Sequence, residues 1–449
     1  MQSKAYWRAM STLAAGVAAC GVLAQSPASA ADLGGSCCAD LEERIAELEA
    51  TTARKGNRKV SLTVSGWVHE AVFLWDDGTE RNAYIGTNQV EQSRFKFTGE
   101  AKIAKGWSAG YEIEVGVAGH PSSGWSQLSE GDNFTFTLRK SNWFVKSEHL
   151  GKLAVGLNAT ATYHLLDDAN FTLTRSFNDA ESPAVYLSQF FLRANGQFIG
   201  TAPAGSPLRW TDALRGFNNS TPGQDGRRDV IRYDTPTIAG FSVAAAWGED
   251  DLADVALIYK GEIHDFKVAA RAGYGNSTDG LSTGTACLPA TPIGASDFEF
   301  DCKWGGAAAT VQHTPTGLYL FGGWGRQHVD NDRDYTPGTV FLTNSDTWFL
   351  QPGIEYKWLP LGKTAIYGQY RHDDAGSNPG ITVATDATHW QGGIVQEIEN
   401  ASMIIYALYQ HSDGELTGNA VTAAAGRAPD GVTKLDAFQE VIMGAKINF

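Results

Sequence analysis

A period of two in hydrophobicity recurs along this chain up to its last residue, and it constrains the fold more than any other feature. In "YEIEVGV" the apolar residues Tyr111 and Ile113 alternate with Glu112 and Glu114. The final segment, "VIMGAKINF", alternates in the same way and ends on an aromatic residue. Since successive side chains of a β-strand point to opposite faces, the pattern predicts many strands with one apolar face and one polar face.

The connections between these strands alternate in length. Seven of them are tight turns, near residues 104, 149, 236, 262, 314, 359 and 399. Between the turns lie eight longer polar stretches, at 75–86, 119–133, 162–227, 248–254, 275–303, 329–346, 373–386 and 412–435. About sixteen antiparallel strands, with short turns at one end and long loops at the other, are typical of a closed transmembrane β-barrel of the outer membrane.

Charged and aromatic residues favour this barrel over a soluble β-sandwich. A sandwich would bury its apolar faces in a thin core and would leave strand edges to protect. Here the polar faces carry Arg, Lys and Glu near mid-strand, where a wide barrel has a wet lumen, and the apolar faces can meet lipid. Aromatic residues near strand ends fit the interfacial girdles of such a barrel: Trp107, Trp247, Trp324, Trp348, Tyr356 and Trp358.

The first thirty residues have the form of an export signal. Lys4 and Arg8 precede an apolar run, and "ASA" at 28–30 is a small-residue cleavage site. After this segment the sequence contains no apolar run long enough for a membrane helix. The formal net charge of −15 excludes a nucleic-acid binder on bulk electrostatics.

Residues 31–57 precede the predicted barrel at 58–449 and contain one clear helical segment, "DLEERIAELEA" at 40–50. Leu41, Ile45 and Leu48 fall on one stripe of this periplasmic helix. The helix either joins neighbouring chains in a short coiled-coil bundle or remains a half-ordered segment before the barrel.

Two cysteines flank the loop-like stretch "CLPATPIGASDFEFDC". In an oxidising compartment Cys287 and Cys302 are expected to form a disulfide, and two unpaired thiols are the alternative.

Four stretches make the chain resemble the general porins of alphaproteobacteria. They are "CADLEERIAELEATTARKGNRKVSLTVSGWV" at 38–68, "RFKFTGEA" at 94–101, "RYDTPTIAGFSVAAAW" at 232–247 and the terminal "GAKINF". The resemblance implies a sixteen-stranded, usually homotrimeric channel that small hydrophilic solutes and ions cross passively, with a third loop that folds inward. The outer surface would then face outer-membrane lipid and lipopolysaccharide. The terminal strand is predicted to close the barrel against the first strand, and Phe449 resembles the C-terminal signal that such barrels present to the barrel assembly machinery.

The longest connection, 162–227, is the third long loop and is predicted to constrict the pore. A loop of this length is usually functional or ordered by packing, and its apolar residues suit the barrel mouth better than solvent. Asp179 and Glu181 lie at a predicted bend before Pro183 and are candidate acids of the constriction.

Fixed basic charges are expected on the barrel wall across from this loop. The alternation places Arg94 and Lys96 on the lumen face of the second strand and Arg232 on that of the sixth. In "RKSNWFVK" the alternation is imperfect, so either Arg139 or Lys140 points inward, and a β-bulge is one explanation. By resemblance, Arg94, Arg139 and Arg232 match the basic wall of the family. Acids on the loop and bases on the wall would create a transverse field across the pore. The simpler alternative is that each arginine pairs locally with a strand glutamate.

The predicted function is passive diffusion of small hydrophilic molecules across the outer membrane. A substrate-selective channel for sugars or organic anions is one alternative; a ladder of lumenal aromatics would favour it, and the inward candidates are scattered ones such as Trp67 and Phe349. A barrel that acts as a surface adhesin or anchor is the other. The acidic net charge favours a weak cation preference, although charges in the outer loops need not control the constriction.

The sequence predicts neither an enzyme nor a cofactor or metal. It contains no nucleophile turn, no phosphate-binding glycine loop and no zinc-ligand spacing. The acidic segment "DNDRD" at 330–334 leaves a loose divalent-cation site open beside the simpler interpretation of a solvated loop.

Overall fold

The computed structural model describes residues 60–131, 134–187, 189–199, 207–210, 221–248, 251–278, 301–330, 342–377, 383–418 and 432–449. All of them belong to one compact unit, Thr52–Phe449. The predicted export signal at 1–30 and the predicted helix at 40–50 lie outside the described residues.

Strands dominate the described part of the chain. They are β1 (Thr63–Asp76), β2 (Arg81–Thr87), β3 (Arg94–Ala104), β4 (Trp107–Ala118), β5 (Thr135–Ser147), β6 (Gly151–Ala159), β7 (Arg193–Ala194), β8 (Gln197–Phe198), β9 (Arg227–Asp234), β10 (Phe241–Gly248), β11 (Ala253–Ile263), β12 (Phe266–Ser277), β13 (Asp301–His313), β14 (Leu318–Asp330), β15 (Leu342–Leu359), β16 (Gly362–Ser377), β17 (Val383–Ile398), β18 (Met403–Gly418), β19 (Val432–Lys434) and β20 (Phe438–Asn448). One short helix, α1 (Ser182–Leu187), lies in the connection between β6 and β9. No helix within the described ranges is both long enough and apolar enough to cross a membrane.

Eighteen of these strands form one antiparallel sheet that closes on itself. β2 and β3 both pair with β1 along one line, and β19 and β20 both pair with β18, so the sheet has sixteen positions around the barrel. The last strand returns to the first, with a register that runs from Trp67 opposite Asn448 to Asp76 opposite Gln439. The predicted closed barrel and its closure by the terminal strand are therefore confirmed.

The seven predicted tight turns each join consecutive barrel strands, as expected. Several loops are shorter than the sequence predicts. Residues 75–86 are mostly strand around a turn at 77–80, and much of 373–386 and 412–435 belongs to β16, β17 and β18. These strand ends are rich in acids, and their polar composition was mistaken for loop although the chain continues to alternate.

The outward face carries the large apolar residues. All six aromatic residues predicted for the girdles are exposed, and so is Phe449. The backbones of Phe449 and Gly66 exchange two hydrogen bonds, of 2.9 and 3.0 Å, which extends the seam between β20 and β1 to the last residue.

One side of the barrel interior is filled by the connection between β6 and β9, here called the inner loop (residues 160–226). Phe177 of this loop stacks on Tyr406 of β18, with ring centroids 4.1 Å apart and planes at 7°. Phe190 packs against Phe438 of β20 at 4.6 Å. The described residues of the inner loop thus share a hydrophobic core with the inward faces of β1, β14–β18 and β20.

Hydrogen bonds to wall side chains reinforce this packing. The amide of Asn178 donates to Gln351 at 3.1 Å and to Gln369 at 2.7 Å. The guanidinium of Arg371 donates to the carbonyl oxygen of Ala180, and the backbone N–H of Leu173 donates to the Glu355 carboxylate at 2.7 Å. Apolar packing and buried polar contacts together position the inner loop within the barrel.

Candidate functional site

The lumenal side of β3, β4 and β5 carries a cluster of cations around one carboxylate. Arg94 donates to Glu114 Oε1 at 2.9 Å and Arg139 donates to the same oxygen at 2.8 Å. Lys96 Nζ lies 3.1 Å from the other oxygen, Glu114 Oε2. We call these four residues the basic wall. Three cations share one acid, so the cluster keeps net positive charge, and the Glu114 side chain is only 2% exposed.

A β-bulge positions the third cation. The register between β4 and β5 steps from Glu114 opposite Lys140 to Val115 opposite Leu138, which leaves Arg139 as the extra residue. Both Arg139 and Lys140 consequently face the lumen, where Lys140 pairs with Glu112 at 3.2 Å. The suggested bulge is therefore present, and it directs two cations inward instead of one.

Trp67 of β1 forms a platform beneath the basic wall. Its ring centroid lies 4.6 Å from the Arg94 guanidinium carbon, 5.1 Å from Lys96 Nζ and 4.3 Å from Lys446 Nζ. The indole N–H donates to the carbonyl oxygens of residues 91 and 92, at 3.2 and 3.1 Å. An aromatic face with three cations around it lowers the cost of holding those like charges close together.

Glu91, in the segment between β2 and β3, forms an ion pair with Lys446. Burial alone would raise the pKa of the Glu91 carboxyl, but the charges of Lys446, Arg175 and Arg94 outweigh it and hold that pKa at about 2. Lys446 also donates to the Ser176 hydroxyl of the inner loop at 3.1 Å. This contact joins the loop to the wall beside Trp67.

Tyr163, near the start of the inner loop, meets two further cations. Its hydroxyl accepts hydrogen bonds from Arg227 at 2.7 Å and from Arg139 at 3.4 Å. Burial raises the pKa of the Tyr163 phenol, but the charges of His164, Arg227 and Arg139 lower it more strongly, to about 7. The loop therefore presents an acceptor to the basic wall at this point.

Arg232 is placed on the lumen face of β9, as the alternation predicts, while Ile231 and Tyr233 are exposed on the outside. Its guanidinium pairs with Asp234 at 2.8 Å and donates to the carbonyl oxygens of Ala159 and Thr160, at 3.2 and 2.8 Å. These contacts tie the wall to the first residues of the inner loop. A pore-lining role for Arg232 stays a prediction.

Asp179 and Glu181 are found inside the inner loop, where their side chains are 0% and 5% exposed. Asp179 pairs with Arg175 at 2.8 Å. Glu181 lies 3.9 Å from His164 Nδ1, which is 2.6 Å from Asp167. The structure thus brings these acids together with loop cations, not with Arg94, Lys96 or Arg139.

Protonation differs within this buried cluster. Burial, followed by the nearby charge of Asp167, raises the pKa of Glu181 to about 7. The pKa of Asp179 is raised by the same two causes. Burial also opposes ionisation of Asp167, but its hydrogen bond from His164 holds the Asp167 pKa at about 2. Burial lowers the pKa of His164, but the charge of Tyr163 and the hydrogen bond with Asp167 outweigh it and raise that pKa to about 9.

Three groups of the cluster, His164, Asp167 and Glu181, could face one metal ion. The Asp167 carboxylate already accepts hydrogen bonds from the backbone N–H of Ala180 at 2.9 Å and from Gln224 at 3.0 Å, besides its contact with His164 at 2.6 Å. An ion would have to displace these hydrogen bonds, so we assign the cluster to the stability of the loop.

Among the described residues of the inner loop, the accessible acid is Asp168, whose side chain is 37% exposed. It pairs with Arg175 at 3.0 Å and with Arg271 of β12 at 3.2 Å. Asp168 is not among the acids that the sequence predicts for the constriction. Trp67 is predicted only as an inward aromatic residue. The alternation of the last strand puts Lys446 on the face opposite Ile447 and Phe449, and this signal could have identified it. Glu91 and Arg227 carry no periodic signal.

The predicted disulfide falls partly outside the described residues. Cys302 lies in β13 and is almost completely buried, whereas Cys287 belongs to 279–300, which the structure does not describe. Their pairing stays a prediction. The acidic segment at 331–334 also lies outside the described residues.

Comparison with known proteins gives a family and a fold. The sequence model of a family described as Gram-negative porin matches residues 11–428. A search of curated proteins finds no match. Among solved structures, the anion-selective porin from Comamonas acidovorans is similar, with 16% identity, coverage of 87% of this chain and 100% of that chain, and a TM-score of 0.55. OmpF of Salmonella typhi in complex with daunomycin is similar at 11% identity, with coverage of 88% and 99% and a TM-score of 0.50. At such identities these likenesses show the fold alone.

Proposed function

The chain belongs to the Gram-negative porin family, and we propose on this basis that it is a general porin, passively crossed by small hydrophilic solutes and ions. It is a multi-pass β-barrel of the outer membrane. The proposal extends to the finer points that the sequence suggests: membership of the alphaproteobacterial group, a homotrimer, and contact with lipopolysaccharide and the barrel assembly machinery.

The observation that carries the proposal is the unequal filling of the barrel interior. On the side of β14–β18 and β20 the inner loop buries the lumenal side chains, including Phe321, Phe349 and Arg371. On the other side, charged lumenal side chains remain partly accessible, with Lys96 at 27% and Lys140 at 21%. A polar passage beside the basic wall suits hydrated solutes, whereas apolar solutes would lose favourable hydration there without compensation.

We propose that the basic wall gives this passage a weak preference for anions. Arg94, Lys96 and Arg139 outnumber Glu114, and we place Asp168, the accessible acid within the described part of the inner loop, across from them. The resulting transverse field would orient dipolar solutes. The acidic net charge of the chain favours cations. However, a passing ion comes closer to the charges at a constriction than to those in the outer loops, and salt screens the more distant charges.

A channel selective for organic anions is the second candidate function. The three cations around Trp67 favour it, because an anion with an apolar part could contact both the charges and the ring. Phe349, the other inward aromatic residue, is buried beneath the inner loop, so it is not available to contact a solute after Trp67.

We propose no enzymatic activity. The His164–Asp167 pair could suggest a catalytic dyad, but both side chains are buried inside the inner loop and hydrogen-bonded there. Ser182, a nearby serine, donates to Asn178 and to the carbonyl oxygen of Asp179.

Single-channel conductance and reversal potential in a planar lipid bilayer test the proposal. Stepwise insertion in groups of three, weak selectivity and no block by sugars or organic anions are expected for a general porin. Block by one class of organic anion would favour the second candidate. A folded barrel that conducts no current would refute both functions.

A further inference from the structure

A row of four carboxylates crosses the outer surface of the barrel near the long-loop ends of β15–β18. The cross-strand registers place Asp346 opposite Asp374, Asp374 opposite Asp386, and Asp386 opposite Glu415. Arg326 stands opposite Asp346 at one end of the row. At the other end Lys434 stands opposite Glu415. The four acids face the same side as Trp348 and Trp390, which are exposed on the outer face.

The charges of this row are not balanced along its length. Like charges directly opposite each other destabilise a sheet, and here three successive pairs are acid against acid. The cations stand at the two ends, and within the described residues neither Asp374 nor Asp386 has a Lys or Arg ion-pair partner. Among the described residues the row therefore has four acids and two cations, and the unmatched negative charge is centred on these two aspartates.

His372 precedes Asp374 by two residues on β16, so its side chain points to the same face of the sheet. Its Nε2 is 3.0 Å from Asp374 Oδ2, within hydrogen-bond distance. Its Nδ1 is buried and has no hydrogen-bond partner among the described residues. The nearest acid to Nδ1 is Asp386, with Oδ1 at 3.8 Å.

The contact with Asp374 favours one tautomer of the imidazole, because a carboxylate accepts hydrogen bonds. When Nε2 carries the proton and donates it to Asp374, the lone pair is on Nδ1, whose nearest acid is Asp386. Histidines that bind metals commonly donate their other ring N–H to a carboxylate, which orients the ring and raises its basicity. Zinc holds nitrogen and oxygen donors at about 2.0–2.2 Å, so two donors on one ion are somewhat closer together than the 3.8 Å between His372 Nδ1 and Asp386 Oδ1. A small side-chain rotation would bring these two atoms to the distance that one ion requires.

We propose that His372 and Asp386 bind one divalent transition-metal ion of the Zn²⁺ class on the outer surface of the barrel, with Asp374 orienting the imidazole. One donor atom from each of these three residues lies within 4.8 Å of the others. A cavity of about 370 Å³ opens beside the two aspartates, and Asp346 and Glu415 line it with them, whereas His372 is not one of its lining residues. An imidazole ligand favours zinc, nickel or cobalt over calcium or magnesium, which prefer oxygen ligands alone. The ion would supply two positive charges and would bridge β16 and β17.

Zinc binding to the full chain, folded in detergent without a histidine tag and stripped of metal, tests this site. Isothermal titration with Zn²⁺ is expected to show one site per chain that His372→Gln and Asp386→Asn each weaken at least tenfold. Unchanged heat-dependent gel mobility verifies that each variant is a folded barrel. Zinc should also raise the unfolding temperature of the wild type more than that of His372→Gln.

His411→Gln is the matched control. His411 lies on β18 and also contacts one carboxylate, Asp413 at 3.3 Å, but it belongs to no group of three metal donors among the described residues. Its replacement is expected to change zinc affinity less than twofold. Zinc affinity that His372→Gln leaves unchanged, an equal loss in His411→Gln, or equal competition by Ca²⁺ would overturn the proposal.

Discussion

The stack of Phe177 on Tyr406 should hold the inner loop against the wall, and replacing Phe177 by alanine tests this. Phe177 is completely buried, and its ring also lies 6.1 Å from that of Tyr367. The side chain belongs to the loop and both partners belong to the barrel. The substitution therefore weakens loop docking and leaves every strand–strand hydrogen bond in place.

The expected effect on the docking of the inner loop is large. Truncation of a buried phenylalanine to alanine costs about 3–5 kcal/mol, which includes the cavity that remains. Since about 1.4 kcal/mol corresponds to a factor of ten, the docking equilibrium should shift by roughly two to three and a half orders of magnitude. Phe177→Ala channels should show a noisier current with a larger mean conductance, because the undocked loop no longer narrows the lumen.

Single-channel recording and limited trypsin digestion measure this effect. Arg175 lies two residues before Phe177 and is held by Asp168 and Asp179 in the docked loop, so undocking should expose it to cleavage. Phe136→Ala is the matched control, because Phe136 is a β5 residue with a 75% exposed side chain. Phe177→Ala channels with the conductance, noise and trypsin resistance of the control would refute the reasoning.

Three further predictions concern charge and assembly. Glu114→Gln should shift the reversal potential in a salt gradient towards anions, since three cations lose their shared counter-charge, and Arg94→Gln should shift it towards cations; equal reversal potentials would show that the basic wall does not line the passage. The pKa of Glu181 is raised to about 7 in the folded protein, so its contribution to stability is fully present below the pKa of the unfolded chain and is lost as pH rises through 7. Trypsin sensitivity of the inner loop should therefore increase between pH 5 and pH 8. A Glu181→Gln variant with the same pH profile would contradict this. Deletion of Phe449 removes the two backbone hydrogen bonds to Gly66 and should reduce the yield of folded barrel in the outer membrane much more than the conductance of assembled channels; a normal yield would argue against its role in assembly.

The barrel could be predicted from the sequence because its signals are local. Alternation within each strand and tight turns at every second connection specify sixteen positions without any long-range information. The same alternation placed Arg94, Lys96 and Arg232 on the lumen face. It even located the irregularity at Arg139, since a bulge breaks the period at the residue that it inserts.

The interior of the inner loop could not be predicted in this way. Asp179 and Glu181 have no periodic neighbours, so nothing in the sequence tells an acid that faces the lumen from one buried beside His164. The rule that inward faces are polar also failed where the loop packs, since Phe73 and Tyr406 point inward and are covered by loop residues. Both faces of such strands are apolar, as in a soluble core.

The position of the inner loop also dictates an order of events during assembly. The loop belongs to the first half of the chain, but its partners include strands made last: Phe438 packs on Phe190, and Gln410 donates to the carbonyl oxygen of Pro183 across a separation of 227 positions. Contacts of such separation form late, because closing the intervening chain costs entropy before any contact can offset it. The strands β18 and β20 must therefore be in place before these contacts can form, so the inner loop completes its docking only when the last strands have joined the barrel.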